Sequence, residues 1–491
     1  MKFNSLLEAV AHYSEHTPDK VCLIDADNDR SITYAGFWKA ICIFANRIKE
    51  SGLQNGERVV VRVGPLIETF VAQFAINLAG GVYCPLEKHL KPLKIKEMLN
   101  YYEANILVST ENIDFDGTWI DLFSACNDGE SLDKYCYPKP EDICAIIFTT
   151  GTTGKAKGVI ISNKAYTISS QLRCKAYAVG EDDVYYWVTP LDRASCSKRF
   201  GIVVTAGCTA VHSDGIMFVN SYLQNISKYG VTVIFLQSYA LNIVIAAKAN
   251  AFCEFNKQIR SMSFGGGNMP EKLKQHLCTE LPDTRLFTMY SSTEATGIAC
   301  YDFSRYPGKT NCVGKPLPGG NVSFIDYDGK VMDDTSKNNP GIVVYEGSCG
   351  MAGYWKDDEL TAKTIVKNKI IMTDMGYRDN DGFIYLVGRR DDVIVSGGNK
   401  IAPYEIEDVV LQMPGISECV CISHPNETAG AVPKLFVVMN KDAEFSAKEI
   451  YNYLAVRLET FKLPRIIREL ESFPRIAKNS KIDRRALSEY D

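Results

Sequence analysis

Residues 149–158 constrain the fold of this chain more than any other segment. They include four threonines, three glycines and two lysines, and they follow an apolar run, residues 143–148, that is typical of a buried strand. Glycines let backbone N–H groups turn toward an anion, threonine hydroxyls add donors, and lysines bring positive charge to a polyphosphate. The Walker sequence is absent, because no Gly-Lys-Ser/Thr follows four residues after a glycine. The segment therefore predicts a phosphate-binding loop outside the P-loop NTPases, with a flexible surface turn as the alternative.

Length and composition exclude several classes of protein. A chain of 491 residues exceeds the size at which one core stops growing, so two or more domains are expected. The net charge of −5 does not favour general nucleic-acid binding. Residues 1–20 lack the apolar core of a signal peptide, and no window has the roughly 18 apolar residues of a membrane span. Sixteen cysteines without a C-x-x-C pair indicate reduced thiols rather than zinc ligands, and hence a cytoplasmic protein.

Strand and helix signals alternate along the chain, which predicts an α/β fold. Residues 34–51 have a helical period, residues 231–235 predict a buried strand, and residues 261–268 predict a glycine-rich turn. Near the end, Ser446 and Glu449 form the capping-box pattern of a helix start.

The clearest domain boundary lies near residue 390, in a charged segment that begins with glycine. A compact pattern of strands and helices follows it to the end of the chain. We therefore predict a large N-terminal domain of several subdomains, residues 1–390, and a small, mobile α+β lid domain, residues 391–491.

Further motifs along the chain form a set with the phosphate-binding loop. They lie at residues 290–294, 372–376, 388–407 and 474–481. In this order, the set resembles the adenylate-forming superfamily, which includes acyl- and aryl-CoA synthetases, stand-alone adenylation domains and luciferase-like enzymes. The resemblance covers nearly the whole chain. It implies binding of a carboxylic acid, ATP, Mg²⁺ and a thiol acceptor, which is CoA or the phosphopantetheine of a carrier protein.

The resemblance also assigns the nucleotide site. The residues implied to bind the phosphates are Thr149, Thr150, Gly151, Thr152, Thr153, Gly154, Lys155 and Lys157. Glu294 and Thr152 are implied as catalytic magnesium ligands, and Mg²⁺ prefers such oxygens. The residues implied to bind the rest of ATP are Gly266, Gly267, Tyr290, Ser291, Thr293, Asp374 and Arg389. Tyr290 would stack on adenine, with a core tyrosine as the alternative, and Asp374 would accept both ribose hydroxyls.

Lys481 matches the catalytic lysine of the family, which bridges the substrate carboxylate and the α-phosphate. A lysine suits this role because the pentavalent phosphorus gains negative charge that a cation stabilises. A solvated basic tail is the alternative. Asp391 matches the family's hinge position, about which the lid would turn between the two half-reactions.

The chain departs from the family pattern after residues 189–191, where an aromatic residue and a histidine are usual. The cations Arg193, Lys198 and Arg199 stand in this region instead. We hypothesise that one of them contacts an anionic part of a substrate, carrier or CoA; surface charges are the alternative.

The acyl pocket is expected around residues 237–239, 263–267 and 289–298. The residues expected to form it are Tyr239, Ser263, Phe264, Gly265, Met289 and Gly297. The segment 396–403 resembles acid–CoA ligases more than amino-acid-loading domains, so we predict an AMP-forming acyl- or aryl-CoA ligase. A stand-alone enzyme that loads a separate acyl or peptidyl carrier protein is the alternative. A luciferase-type oxygenase and a non-catalytic nucleotide-binding protein rank below both.

Overall fold

The computed structural model describes residues 3–132, 134–150, 156–216, 218–266, 269–397, 399–441, 443–475, 482–484 and 486–490. The chain divides into two compact units. Unit 1 comprises Met1–Val322 and Tyr345–Ile370, and unit 2 comprises Ser323–Val344 and Ile371–Asp491. Unit 2 thus contains the whole of the predicted lid together with earlier residues. The boundary at residue 390 and the hinge at Asp391 stay predictions.

Unit 1 alternates helices and strands, as the sequence predicts. Its helices are α1 (Leu6–His16), α2 (Tyr34–Glu50), α3 (Leu66–Leu78), α4 (Pro92–Tyr102), α5 (Asn163–Ala176), α6 (Ala194–Ala206), α7 (Val219–Lys228), α8 (Ser238–Ala247), α9 (Glu271–Glu280) and α10 (Asp358–Thr364). Its strands are β1 (Val21–Asp25), β2 (Arg30–Thr33), β3 (Arg58–Arg62), β4 (Val82–Leu86), β5 (Ile106–Ser109), β6 (Thr118–Asp121), β7 (Ile143–Thr150), β8 (Ala156–Ser162), β9 (Val184–Trp187), β10 (Thr209–His212), β11 (Val233–Gln237), β12 (Ser261–Gly265), β13 (Arg285–Tyr290), β14 (Ala299–Asp302), β15 (Cys312–Pro316), β18 (Gly353–Tyr354) and β19 (Ile365–Val366). Three further strands cross the limits between the units: β16 (Gly320–Ile325), β17 (Gly341–Gly347) and β20 (Lys369–Arg378).

Two sheets organise unit 1. One has the order β15-β14-β13-β12-β11-β9-β10-β1-β2, and its strands from β13 to β1 run parallel. The other has the order β18-β8-β7-β4-β3-β5-β6. Since helices connect parallel strands and cover both faces, such sheets are buried on both sides and read as apolar runs. Helix α3 is buried on nearly all sides, and its Glu68 carboxylate pairs with the Arg30 guanidinium at 2.5 Å.

The helix predicted at residues 34–51 is confirmed as α2, where the Thr33 hydroxyl accepts a hydrogen bond from the Gly36 N–H. The glycine-rich turn predicted at residues 261–268 is wrong for its first half. Residues 261–265 form β12, a buried strand between β11 and β13. Its small residues have low strand propensity, but pairing on both sides outweighs that preference.

Unit 2 contains β16, β17, β20 and β21 (Ile384–Arg389) as one set of neighbouring strands. Its second sheet has the order β23-β22-β25-β24, with β26 beside β25. The elements of this part are β22 (Ile394–Ser396), β23 (Asn399–Ile401), α11 (Pro403–Val410), β24 (Ile416–Asn426), β25 (Gly430–Met439), α12 (Ala447–Ala455) and β26 (Ile466–Glu469). The predicted capping residue is confirmed, because the Ser446 Oγ accepts from the Glu449 N–H at 3.3 Å. In the described parts of the chain, no helix combines the length and apolarity needed to cross a membrane.

Candidate active site

The predicted acyl pocket falls at one edge of the larger sheet of unit 1. Strands β11, β12 and β13 are parallel neighbours, with Gln237 opposite Gly265 and Phe264 opposite Thr288. Their carboxyl ends therefore meet at the same edge, which is where open α/β sheets bind ligands. Gly266, just beyond β12, has a φ of +86°, a left-handed conformation that favours glycine.

The structure brings most of the predicted pocket residues to this edge. Ser263 and Gly265 share one face of β12, Met289 is the second-last residue of β13, and Tyr239 lies in the first turn of α8. Phe264 is the exception, because it points to the opposite face of β12, where its ring lies 6.1 Å from the ring of Phe303.

The loop that follows β13 carries Glu294 and is held by backbone hydrogen bonds. The Met351 N–H donates to the Glu294 carbonyl at 2.7 Å, and the Thr296 N–H donates to the Cys349 carbonyl at 2.8 Å. Ser291, Thr293 and Gly297 lie in the same loop. Tyr290, the last residue of β13, is buried.

Tyr354 connects the predicted magnesium carboxylate to the predicted phosphate-binding loop. Its hydroxyl donates to the Glu294 Oε1 at 3.1 Å, and the Lys157 Nζ lies 5.6 Å from the centre of its ring. Burial, followed by the charge of Glu294, raises the pKa of Tyr354, so this hydroxyl keeps its proton and donates. The sequence analysis missed Tyr354, which is 60 residues from Glu294 and comes to it because residues 349–351 form backbone hydrogen bonds with the Glu294 loop.

The donor set around Glu294 fits a magnesium ion that arrives with a nucleotide. The Tyr354 hydroxyl donates to the Oε1 atom of Glu294, and no described residue donates a hydrogen bond to the Oε2 atom. Among the described residues no group of three or more histidine, cysteine, aspartate or glutamate side chains could hold a metal. Mg²⁺ is commonly bound by one or two carboxylates together with substrate phosphates and water, and Glu294 suits that arrangement.

Much of the predicted phosphate-binding loop lies outside the described residues. This applies to Gly151, Thr152, Thr153, Gly154 and Lys155, and also to Gly267 in the nucleotide set. The backbone of Thr149 and Thr150 is described. These two residues end β7 and pair with Lys157 and Ala156 of β8. The two ends of the loop are therefore held side by side by an antiparallel pair of strands.

In unit 2, Asp374 and Arg389 face each other across two antiparallel strands. They are register partners on β20 and β21, and the Arg389 Nε lies 3.8 Å from the Asp374 Oδ1. Both side chains are half-buried, so the carboxylate is both oriented and accessible. The backbone of Asp391 lies in the short 3-10 turn Arg390–Asp392 that follows β21.

Lys481 lies outside the described residues, but the residues on either side of its segment are well anchored. Arg475 forms an antiparallel bridge with Ile482, and its guanidinium pairs with Glu418 at 2.5 Å. On the other side, Arg484 donates to both oxygens of Glu407 at 2.8 and 3.1 Å. These contacts fix both ends of the segment that carries the predicted catalytic lysine.

The three cations after β9 do not share one environment. Arg193 is half-buried, and its Nε lies 3.6 Å from the Asp192 carboxylate. Lys198 and Arg199 are buried in α6, with 6% and 4% of their surfaces exposed. The surface-charge alternative is therefore wrong for these two residues. Sequence reasoning also missed Arg173 of α5, whose side chain is 1% exposed.

Comparison with known proteins decides the family. The model of the AMP-binding enzyme family matches residues 10–355, and the model of the AMP-binding enzyme C-terminal domain matches residues 405–480. The chain belongs to the AMP-binding enzyme family. The predicted family is thereby confirmed, and the two matched segments leave residues 356–404 between them.

Relatives of this AMP-binding enzyme match it over nearly its whole length. A 2-succinylbenzoate–CoA ligase from Bacillus cereus (strain Q1) is 26% identical over 476 residues, which cover 96% of each chain. The protein 4-coumarate–CoA ligase-like 9 from Oryza sativa subsp. japonica is 26% identical over 515 residues, which cover 98% of this chain and 91% of the relative.

Solved structures confirm the predicted fold class. The ATP-bound MatB from Rhodopseudomonas palustris has a TM-score of 0.89 at 22% identity, and 98% of each chain is covered. The o-succinylbenzoate coenzyme A synthetase (MenE) from Bacillus subtilis, in complex with ATP and a magnesium ion, has a TM-score of 0.85 at 25% identity, with 98% of this chain and 99% of that chain covered.

Proposed function

We propose that this AMP-binding enzyme is an AMP-forming acid–CoA ligase. In the first half-reaction a carboxylate and ATP give an acyl-adenylate and pyrophosphate. In the second, the thiol of CoA attacks the acyl carbon, and AMP leaves as the thioester forms. The observation that carries the proposal is a series of side-chain contacts: Lys157 lies over the Tyr354 ring, and the Tyr354 hydroxyl donates to Glu294. These contacts hold a cation and an oriented carboxylate beside the glycine-rich loop. Full-length relatives named as CoA ligases support it.

The residues of unit 1 act on the phosphates in this proposal. Glu294 and Thr152 would hold Mg²⁺, which neutralises phosphate charge when bound. Tyr354 keeps the Glu294 carboxylate in one orientation by its hydrogen bond. The remaining loop residues donate to the β- and γ-phosphates, and Lys157 adds positive charge at the end of the loop.

The residues of unit 2 act on the ribose and on the reacting centre. Asp374 accepts the two ribose hydroxyls, and Arg389 fixes the carboxylate from the neighbouring strand. Lys481 bridges the attacking carboxylate and the α-phosphate, where it stabilises the charge that develops on the phosphorus oxygens. Rotation about Asp391 then withdraws Lys481 and admits the thiol.

We also place the enzyme in the cytoplasm. The sixteen cysteines, all within the described residues, form no disulfide, and Cys126, Cys136 and Cys253 are exposed. Burial raises the pKa of several of the others, including Cys300 and Cys144, to about 12, so these thiols stay protonated and unreactive. A chain rich in reduced cysteines suits a reducing compartment.

The test is pyrophosphate release from ATP with a panel of carboxylic acids, each measured with and without CoA. We expect at least one acid whose turnover increases when CoA is added, with the CoA thioester detected by mass spectrometry. The Lys481→Ala variant serves as the inactive control. An acid that forms acyl-adenylate but ignores CoA would instead indicate loading of a carrier protein, and light emission or oxygen uptake with the adenylate would indicate an oxygenase.

A further inference from the structure

Three cations are buried together in unit 1, on two neighbouring helices. Arg173 lies on α5, and Lys198 and Arg199 lie next to each other on α6. None of the three has more than 6% of its surface exposed. Removing a charge from water is costly unless the charge is paired and hydrogen-bonded. An anion bound beside such a cluster would stabilise its charged form.

The described part of the chain supplies no such anion within ion-pair distance. The Lys198 ammonium donates only to the Ser292 carbonyl, at 3.2 Å. Arg173 donates to the Ser169 hydroxyl at 2.5 Å and to the Thr296 carbonyl, and its Nε has no partner. All of these acceptors are neutral.

Arg199 is the least satisfied of the three. Its guanidinium carbon lies 3.6 Å from the centre of the Phe235 ring, and its buried Nε and Nη1 atoms have no hydrogen-bond partner. The nearest polar groups are the hydroxyls of Tyr177 and Tyr185, which interact with the guanidinium but form no hydrogen bond of standard geometry with it. Burial opposes the charge, but these tyrosines outweigh it and raise the pKa of Arg199, so the guanidinium stays charged.

The cluster borders the predicted acyl pocket. Lys198 and Arg173 both donate to carbonyls of the loop that follows β13. The Phe235 ring that covers Arg199 lies 3.3 Å from the point where a Cβ on Gly265 would stand. A Cβ on Gly297 would stand 4.0 Å from Arg173 Nη1. Both glycines thus pack closely against the residues around the cations, at the edge where the pocket is expected.

Burial and the neighbouring cations both act against the charge of Lys198. Burial lowers the pKa of Lys198 well below its usual range, and Arg173 and Arg199 lower it further. Glu294 opposes these effects, but its carboxylate already accepts the Tyr354 hydroxyl and is assigned to the magnesium ion. A second carboxylate entering the pocket would offset the repulsion.

We propose that the substrate is a dicarboxylic acid, one carboxylate of which is activated while the other binds Lys198 and the Arg199 guanidinium. Arg173 is a positioning residue, which adds positive potential and holds the loop through the Thr296 carbonyl. This inference rests on the proposed ligase function and names its substrate class.

The experiment compares pairs of acids that differ only at the distal group. Aliphatic α,ω-diacids of about three to eight carbons and aryl diacids are each assayed for pyrophosphate release beside their monomethyl esters. Because a site built for a buried polar group rejects an analogue that lacks it, we expect kcat/KM for the active diacid to exceed that of its ester about 10²–10⁴-fold. In Arg199→Met this preference should fall to about tenfold or less, while the KM for ATP stays unchanged.

Lys175→Met is the matched control, because it removes an exposed cation from the same helix as Arg173 and should leave the preference intact. A second readout needs no turnover: the active diacid, without ATP, should raise the melting temperature of the wild type but not that of Arg199→Met. The comparison of diacids with their esters on the wild-type enzyme remains valid even if the Arg199→Met variant fails to fold.

The two proposals fail in different ways. If the kcat/KM for a monomethyl ester equals that for its diacid, the dicarboxylate inference is overturned and the ligase function is left intact. A raised KM for ATP in Arg199→Met with every acid would also overturn it, because the cations would then serve the phosphates. Absence of pyrophosphate release with every acid would contradict the ligase function, and the melting measurement would still decide whether the cluster binds a diacid.

Discussion

Replacing Tyr354 by phenylalanine tests the arrangement at the predicted magnesium carboxylate. The change removes the hydroxyl that donates to the Glu294 Oε1 and keeps the ring that faces Lys157. Hydrogen bonds to charged groups contribute about 1.5–3 kcal/mol. At 3.1 Å this bond is longer than most O–H···O bonds, so the lower figure applies. A loss of about 1.5 kcal/mol corresponds to a roughly tenfold decrease in rate.

The assay is acid-dependent exchange of pyrophosphate into ATP, measured as a function of magnesium concentration. We expect kcat/KM for ATP to fall about tenfold in Tyr354→Phe and the half-saturating magnesium concentration to rise, because the carboxylate is no longer held in one orientation. Tyr13→Phe is the matched control. It removes a tyrosine hydroxyl that donates over the same 3.1 Å, but to the neutral Ala206 carbonyl. Equal activity of Tyr354→Phe and wild type, or equal losses in both variants, would refute the reasoning.

Three further predictions concern unit 2. Lys481→Ala should reduce the rate of adenylate formation about 10²–10³-fold and spare thioester formation from supplied acyl-adenylate. Stopped-flow measurement of each half-reaction checks this. Equal loss of rate in the two half-reactions would contradict the role of Lys481. Asp374→Asn should raise the KM for ATP at least tenfold, because the substitution replaces a charged acceptor for the ribose hydroxyls by a neutral amide. With 2′-deoxy-ATP, the difference in KM between the variant and the wild type should be smaller. Arg484→Met should lower the free energy of unfolding of unit 2 by about 2 kcal/mol in urea, less than for a fully buried ion pair because the Arg484 side chain remains 34% exposed. An unchanged urea midpoint would show that the pair with Glu407 contributes nothing.

The sequence predicted those elements that local rules specify. The period of residues 34–51 located α2 to within a residue, and Ser446 with Glu449 located the start of α12. Strand β12 was missed because its glycine and serines signal a turn locally, whereas its pairing with two neighbouring strands is set by the tertiary structure.

The site was predictable only where a motif exists. Glu294, Asp374 and Lys157 belong to motifs, and the structure places each of them in contact with another side chain of the site. Tyr354 and Arg173 belong to none of the motifs used, and nothing in their neighbouring residues marks them. Charged side chains are exposed in most proteins, so sequence alone could not show that Lys198 and Arg199 are buried.

The discontinuity of unit 1 affects how the protein is made. The chain leaves this unit after Val322 and returns to it from Tyr345 to Ile370. The returning segment supplies β18, which pairs with β8 and carries the Tyr354 that orients Glu294. Domains generally fold as units during synthesis, beginning at the N-terminus. Unit 1 therefore cannot be completed on the ribosome until residue 370 has left the exit tunnel, when the first residues of unit 2 have already been made. A fragment ending at Val322 would lack this strand, so an isolated unit 1 should be expressed through residue 370.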